Sequence, residues 1–192
     1  MVDRLDSEFK YYKERLKYHI LQCVKIGAFT LSSGKKSNFY VDCKQEMLTP
    51  ECCEFMAMCI RCIGLSHIHD YRSVAGVASG ADPITVGCVA YNRSNGLFIR
   101  KAKKGYGIRR LIEGKIITLD PKVLLVDDVL TTGGALKHAF AVLTANGLEL
   151  VGTVVIVDRQ ENDAKKIIEK YTGKPVWPIF TRDELMHQSE EK

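Results

Sequence analysis

Hydrophobic positions change their period along the chain. Up to about residue 66 they recur every three or four residues, which predicts a helix over residues 6–26 that ends at Gly27, and a second helix that begins at Thr49 and Pro50. Short extended segments are predicted at residues 28–31 and 39–42. Farther on, continuous apolar runs predict strands over residues 73–77, 96–99, 122–126, 150–157 and 176–179. Helical spacing between these runs predicts helices over residues 83–91, 133–146 and 162–171.

Strands that are apolar on both faces and separated by helices are typical of a parallel sheet covered by helices on both sides. We therefore predict a three-layer α/β fold with a central, mainly parallel sheet, in one domain over residues 1–192. Residues 1–66 are predicted to form an N-terminal helix and hood region, and residues 67–192 the α/β core. Since ligands of open parallel sheets bind beyond the carboxyl ends of the strands, functional residues are expected there.

The composition agrees with one globular domain. The chain has 192 residues, of which 46% are hydrophobic and 27% charged, and these proportions exclude a disordered or fibrous protein. No apolar run approaches the roughly 18 residues that cross a bilayer, and the N-terminus lacks the pattern of a signal peptide. We therefore expect a cytoplasmic protein with no membrane partner.

The cysteines and histidines give no metal site. Cys59 and Cys62 have the spacing of a metal-binding pair, but they lie in an apolar stretch with helical spacing, and no second pair follows. This pattern favours buried, reduced thiols. The histidines, including His138 in the helix predicted over residues 133–146, have no acidic or cysteine neighbour at ligand spacing, so we expect ordinary surface or helix roles for them.

The formal net charge of +5 is concentrated in one segment, residues 100–110, which has no acidic residue. A local excess of this kind indicates a compact anion or a phosphate backbone as the partner. A solvated loop is the alternative. The basic residues of this segment are Arg100, Lys101, Lys103, Lys104, Arg109 and Arg110.

The strongest candidate site lies at residues 123–135. An apolar strand delivers the adjacent carboxylates of Asp127 and Asp128, and a turn rich in threonine and glycine then opens a helix. Such a turn can direct backbone N–H groups at a phosphate, while the two carboxylates hold sugar hydroxyls or a Mg²⁺-bound water. The spacing suits a ribose 5-phosphate. Neither GxxxxGK[ST] nor GxGxxG is present in this turn, and a buried acid with a helix cap explains Asp128 or Thr132 singly but not the whole run.

This run resembles the signature for 5-phosphoribosyl 1-pyrophosphate (PRPP) of the type I phosphoribosyltransferases, and other stretches are similar to the orotate phosphoribosyltransferase family. Residues 29–37 and 39–42 resemble its N-terminal substrate segment, residues 74–83 its pyrophosphate loop, residues 100–114 its mobile catalytic loop, and residues 158–161 its strand-end arginine element. The resemblance implies a type I phosphoribosyltransferase fold. It also implies transfer of the phosphoribosyl group from PRPP to orotate, which gives orotidine 5′-monophosphate and pyrophosphate in pyrimidine (UMP) biosynthesis.

The resemblance also implies roles for individual residues. Lys104, Asp128 and Lys101 are expected to be catalytic, and Mg²⁺ is expected to bind mainly through PRPP, with Asp127 or Asp128 as a protein ligand. Contacts to orotate are expected from Phe39, Tyr40, Lys35, Thr131 and Arg159. Contacts to PRPP are expected from Arg100, Lys101, Lys104, Tyr106, Ser79, Gly80, Asp127, Asp128, Val129, Leu130, Thr131, Thr132, Gly133, Gly134 and Ala135. A homodimer is expected, in which the basic segment is shared between subunits.

Elementary chemistry agrees with these assignments. Displacing pyrophosphate builds positive charge on the ribose and negative charge on the leaving group, so carboxylates are needed near the ribose and cations near the pyrophosphate. Arg159 offers a planar fork for the orotate carboxylate, and its alternative role is an ion pair with Glu161 or Asp158.

The chain departs from the family pattern at several positions. Ser32 and Gly80 stand where the family often has lysine, Tyr106 stands where histidine is common, and Gly105 and Ile108 stand where acidic residues are common. Three other functions stay open from the sequence: a phosphoribosyltransferase for another base such as a purine, a PRPP-sensing regulator that binds nucleic acid, and a purely structural use of the motif. The basic segment has one aromatic residue and no helix-turn-helix pattern, which disfavours nucleic acid as a partner.

Overall fold

The computed structural model describes residues 2–30, 36–41, 46–68, 70–101 and 111–187. Its first part contains helix α1 (Val2–Cys23), strands β1 (Val24–Thr30) and β2 (Lys36–Val41), and helix α2 (Pro50–Ile63). The remainder alternates strands and helices: β3 (Ser73–Val77), α3 (Asp82–Asn92), β4 (Asn95–Ile99), β5 (Ile112–Glu113), β6 (Lys122–Leu130), α4 (Gly134–Ala145), β7 (Glu149–Asp158), α5 (Ala164–Thr172), β8 (Val176–Thr181) and α6 (Arg182–Met186).

Six strands form the central sheet, in the order β5-β4-β3-β6-β7-β8. All neighbouring strands are parallel except β5, which pairs antiparallel with β4. The interior strands are almost wholly apolar because both of their faces are covered. The predicted three-layer α/β fold is therefore confirmed.

The two faces of the sheet belong to two hydrophobic clusters. On one face, residues of α1, α2 and α3 pack against β6, β7 and β8, with Leu16, Met56 and Ile84 fully buried. On the other face, α4 and α5 cover the sheet through Leu136, Leu143 and Ile168. Helices α1 and α2 of the N-terminal region thus share one core with the sheet, and only the β1–β2 hairpin of that region forms a separate sheet.

The structure corrects several predicted boundaries. The first helix ends at Cys23 rather than near residue 26, because Val24 begins a strand that pairs with Val41 of β2. Strand β6 continues to Leu130 instead of stopping at residue 126, since its backbone stays paired with β7 through Leu130. Strand β5 and helix α6 were not predicted, and both are too short to give a periodic signal.

The N-terminal hairpin is tied to the core at one strand end. The guanidinium of Arg159, directly after β7, donates a hydrogen bond from Nη2 to the carbonyl oxygen of Phe39 on β2, with a distance of 2.9 Å. This contact brings the hairpin to the carboxyl edge of the central sheet. In the described ranges, no helix is both long and apolar enough to span a bilayer.

Candidate active site

Four strand ends meet at the carboxyl edge of the sheet. Because β4, β3, β6 and β7 are parallel neighbours, the segments that follow them lie side by side. Two backbone hydrogen bonds join these segments: the N–H of Ala78 donates to the carbonyl of Ile99 at 2.9 Å, and the N–H of Arg159 donates to the carbonyl of Leu130 at 3.1 Å. The structure thus brings together the segments that the sequence singled out at separate places.

The acid pair, Asp127 and Asp128, lies at this edge inside strand β6. Asp127 is buried, with 6% of its surface exposed, whereas Asp128 is half-buried. Each Oδ1 accepts a hydrogen bond from the next backbone N–H, from Asp128 at 3.1 Å and from Val129 at 2.8 Å. These bonds fix the orientation of the two carboxylates toward the strand end.

The surroundings of Asp127 favour its protonated form. Burial raises the pKa of Asp127 well above its ordinary value, and the neighbouring charge of Asp128 raises it further. The ammonium of Lys101 opposes this rise in the pKa, so Lys101 lies close enough to act on the acid pair. Lys101 is exposed and follows β4. A buried carboxylate with a raised pKa favours ligands that bring positive charge or hydroxyl donors.

The predicted pyrophosphate loop packs directly on the acid pair. A Cβ atom on Gly80 would lie 2.5 Å from Oδ2 of Asp128, which is closer than real Cβ contacts come. With this backbone, the lysine that the family often has in place of Gly80 has no room unless Asp128 moves. Ser79, next to it, is exposed, and the peptide bond between Ala78 and Ser79 is cis.

The turn after β6 presents the start of helix α4. Gly133 is the N-cap residue with φ of 76°, a left-handed conformation that favours glycine, and a Cβ there would lie 2.6 Å from Cδ1 of Ile168. Among the described residues no side chain caps this helix, and the N–H groups of its first turn can therefore bind an anion. Thr132 and Gly134 are exposed at this turn.

The other residues of the run differ in how accessible they are. Val129, Thr131 and Ala135 are half-buried. Leu130 is 1% exposed in the core, and its carbonyl already accepts the hydrogen bond from Arg159, so its side chain does not reach a ligand. That side chain belongs to the hydrophobic cluster under α4, and the expected PRPP contact at Leu130 stays a prediction.

Arg100 begins the predicted basic segment and is held by three contacts. Its Nη1 donates to Oε1 of Glu113 at 2.9 Å, its backbone N–H donates to the carbonyl of Leu111 at 2.8 Å, and its carbonyl accepts from Nε2 of His138 at 3.0 Å. No local sequence pattern indicates the contact with His138, which is 38 positions away on α4. Lys104 and Tyr106 lie outside the described residues.

The expected orotate side of the site centres on Arg159. This arginine is buried, with 5% of its surface exposed, and Nη2 lies 2.8 Å from Oε1 of Glu161. The alternative of an ion pair with Glu161 is thus observed, but in a buried position rather than at the surface. Asp158 instead accepts a hydrogen bond from the N–H of Gln160.

The aromatic residues of β2 divide between core and site. The expected contact of Phe39 with orotate stays a prediction, and its side chain is fully buried in this structure. The physical reason is the alternation of side chains along a strand, which turns Phe39 into the core and Tyr40 to the other face. Tyr40 is half-buried, and its ring centroid lies 5.6 Å from that of Phe29. Lys35 lies outside the described residues.

Comparisons with known proteins identify the family. A model of the phosphoribosyl transferase domain matches residues 90–184. An orotate phosphoribosyltransferase of Pyrococcus abyssi is 40% identical over 163 residues, which cover 85% of this chain and 88% of that protein. The chain belongs to the orotate phosphoribosyltransferase family.

Solved structures of this family have the same fold. The orotate phosphoribosyltransferase of Aeropyrum pernix superposes with a TM-score of 0.76 at 26% identity, over 94% of this chain and 98% of that one. The enzyme of Mycobacterium tuberculosis in complex with PRPP gives a TM-score of 0.74 at 28% identity, over 91% of this chain and 99% of that one. The family resemblance and the type I phosphoribosyltransferase fold predicted from the sequence are thereby confirmed.

The side chains at the site suit a metal ion that is coordinated mainly by the bound substrate. Among the residues that the structure describes, no group of three or more histidine, cysteine, aspartate or glutamate side chains is arranged to hold a metal ion. The acid pair offers two carboxylates. Mg²⁺ commonly binds through one or two carboxylates together with substrate phosphates, so this site suits Mg²⁺ that arrives with a phosphorylated substrate.

Proposed function

We propose that this protein transfers the 5-phosphoribosyl group from PRPP to orotate and releases orotidine 5′-monophosphate and pyrophosphate, a step of pyrimidine biosynthesis. The observation that carries the proposal is the junction of three features at one sheet edge: the acid pair, an uncapped helix start and the strand-end arginine. An orotate phosphoribosyltransferase requires a phosphate site, a ribose site and a carboxylate site, in that order along the two substrates.

The acid pair and the turn after it would hold the ribose 5-phosphate. The side chains of Asp127 and Asp128 would form hydrogen bonds with the ribose hydroxyls, and a carboxylate beside the ribose stabilises the positive charge that develops there in the transition state. Backbone N–H groups of residues 131–135 and the hydroxyls of Thr131 and Thr132 bind the 5-phosphate, helped by the positive end of the α4 dipole.

The pyrophosphate would leave toward the basic segment and the loop at Ser79 and Gly80. Arg100 and Lys101 supply cations at the end of β4, beside the acid pair, and Lys104 belongs to the same segment. Negative charge grows on the leaving oxygens in the transition state, so these cations stabilise it more than the ground state. Asp127 or Asp128 would hold Mg²⁺ together with the substrate, and the ion would supply further positive charge on the leaving-group side.

The base would bind between Arg159 and the hairpin. The ion pair of Arg159 with the carboxylate of Glu161 supports this placement, because the guanidinium already donates to a carboxylate at the strand end. Orotate carries such a group, whereas a neutral purine does not. Tyr40 is the proposed aromatic contact to the orotate ring. Lys35 and Thr131 are proposed as further contacts to orotate.

We further propose a cytoplasmic homodimer in which the basic segment of one protomer contributes to the site of the other. Family membership supports the dimer. Sedimentation of the purified protein, followed by mixing of an Asp128→Asn variant with a Lys104→Ala variant, tests it. Mixed dimers regain activity only if the two residues act from different protomers.

A base-by-base assay tests the reaction. Pyrophosphate release is measured with PRPP and Mg²⁺ in the presence of orotate, uracil, adenine or hypoxanthine. We expect turnover with orotate and at least a hundredfold less with the others, because they carry no carboxylate that could bind to Arg159. Turnover with a purine and none with orotate would overturn the proposal.

A further inference from the structure

A second basic cavity lies away from the acid pair. It has a volume of about 220 Å³ and opens to solvent, and arginines from three different segments line it. We call it the arginine cavity. Its lining residues are Arg61, Gly64, Leu65, Tyr71, Arg72, Asn92, Arg93 and Ser94.

The arginine cavity is at the amino edge of the sheet. Arg72 directly precedes β3, Ser94 directly precedes β4, and Arg61 lies in the last turn of α2. The candidate active site is at the carboxyl ends of the same strands. With about 3.3 Å per residue, the five residues of β3 separate the two places by roughly 16 Å. The arginine cavity is therefore not part of the site described above.

The charge of the arginine cavity is largely uncompensated. In the ranges that the structure covers, Arg61 and Arg93 form no ion pair, and Arg72 pairs through Nε with Oδ2 of Asp120 at 3.2 Å. No acidic residue lines the cavity. The carboxyl ends of α2 and α3 favour nearby cations and explain single arginines there, but they do not explain why a third arginine from another segment joins them in a concave site.

The floor of the arginine cavity is polar and tightly built. Tyr71 packs on Gly64, where a Cβ would lie 2.6 Å from the tyrosine hydroxyl. Burial raises the pKa of Tyr71, so its hydroxyl stays protonated and can donate a hydrogen bond. Asn92 donates from Nδ2 to the carbonyl of Ala57 at 2.9 Å, while its buried Oδ1 has no hydrogen-bond partner in the described part of the chain.

We propose that the arginine cavity binds a phosphate dianion, either free or as the phosphate of a small sugar monoester. Guanidinium groups bind phosphate oxygens through paired N–H donors, and three of them from separate segments match a tetrahedral anion. The volume is below the range of roughly 300–1,000 Å³ of drug-sized ligands, which fits an anion of this size and excludes a whole dinucleotide.

The test is a titration followed by the amide signals of Gly64 and Ser94 in a ¹H–¹⁵N NMR spectrum. The probes are inorganic phosphate and ribose 5-phosphate, and the variants are the Arg61→Ala/Arg93→Ala double variant and an Arg4→Ala/Arg15→Ala control. The control removes two exposed arginines of α1 that do not line the arginine cavity. Because the reporters lie at the amino edge, phosphate bound at the candidate active site does not affect the result.

We expect saturable shifts of both signals at millimolar phosphate in the wild type and in the control, and at least tenfold weaker binding in the double variant. Orotate turnover should be retained in all of them. Tighter binding of ribose 5-phosphate than of phosphate assigns the site to a monoester, and equal affinity assigns it to free phosphate. Signals that do not move at 20 mM probe, or that move equally in the double variant, would overturn the proposal.

Discussion

Gly80, in the loop after β3, is in contact with Asp128 on β6: a Cβ on Gly80 would lie 2.5 Å from Oδ2 of Asp128. The loop after β3 and the acid pair on β6 therefore form one surface, because β3 and β6 are neighbours in the sheet. The position of the Asp128 carboxylate depends on the absence of a side chain at residue 80.

Replacing Gly80 with alanine should displace the Asp128 carboxylate. We expect the Gly80→Ala variant to lose at least tenfold in kcat/KM for PRPP, since a misplaced carboxylate no longer meets the ribose hydroxyls. Steady-state kinetics with orotate held at saturation measures this loss. An unchanged kcat/KM would mean that the acid pair does not contact the ribose.

A Gly147→Ala variant is the matched control. Gly147 has φ of 72° and no heavy atom within 4 Å of a Cβ position, so alanine strains the backbone without touching the site. It should lower the free energy of unfolding by about 1 kcal/mol and leave kcat/KM of the folded enzyme unchanged. If both variants lost activity to a similar extent, the effect of Gly80→Ala would be due to lower stability and not to a displaced Asp128 carboxylate.

The raised pKa of Asp127 predicts how stability changes with pH. Above the ordinary pKa of an aspartate, the unfolded chain releases this proton while the folded protein retains it, so the free energy of unfolding falls as pH rises until the pKa of the folded state is passed. The loss is about 1.4 kcal/mol for each unit between the two pKa values.

Asp127→Asn should remove this dependence. The asparagine keeps an oxygen that accepts from the N–H of Asp128, but it has no charge to bury. We expect the variant to be more stable than the wild type at pH 7 and to lose most activity with PRPP. Urea unfolding from pH 4 to pH 8 measures the slope, with the exposed Asp6→Asn as control. Parallel curves for the wild type and Asp127→Asn would contradict a raised pKa.

Arg159→Lys tests the orotate contact. A lysine is a point charge without the planar fork, so we expect the KM for orotate to rise at least tenfold while the KM for PRPP stays within about threefold. Because Arg159 also donates to Phe39, thermal unfolding is measured alongside. Glu161→Gln should not raise the KM for orotate if the orotate carboxylate takes the place of Glu161 beside the guanidinium. If the KM for orotate rose equally in the Arg159→Lys and Glu161→Gln variants, Glu161 would be part of the orotate-binding site.

The three-layer α/β fold, the placement of functional residues at the strand ends and the acid pair were all predictable from the sequence. These features depend on local patterns, namely apolar runs, helical spacing and turn residues. The sequence did not predict that Phe39 is buried or that Leu130 belongs to the core. Both outcomes depend on which face of a strand packs against distant elements. The contacts of Gly80 with Asp128 and of Arg159 with Phe39 join residues 48 and 120 positions apart, and no local pattern encodes such proximity.

The hydrogen bond between His138 and Arg100 is a further contact of this long-range kind, and it gives the last prediction. Nε2 of His138 donates to the carbonyl of Arg100 at 3.0 Å and so fixes the backbone where the basic segment leaves β4. Loss of a hydrogen bond costs about 1 kcal/mol, so we expect His138→Ala to raise the KM for PRPP about fivefold. His138→Gln retains an N–H donor and should restore most of the affinity, which a role in packing alone would not produce. Lys137→Ala, a neighbour whose ammonium lies 5.4 Å from the Tyr171 ring, is the control and should keep the wild-type KM. If the glutamine variant behaved like the alanine variant while both melted like the wild type, the hydrogen bond would have no part in positioning Arg100.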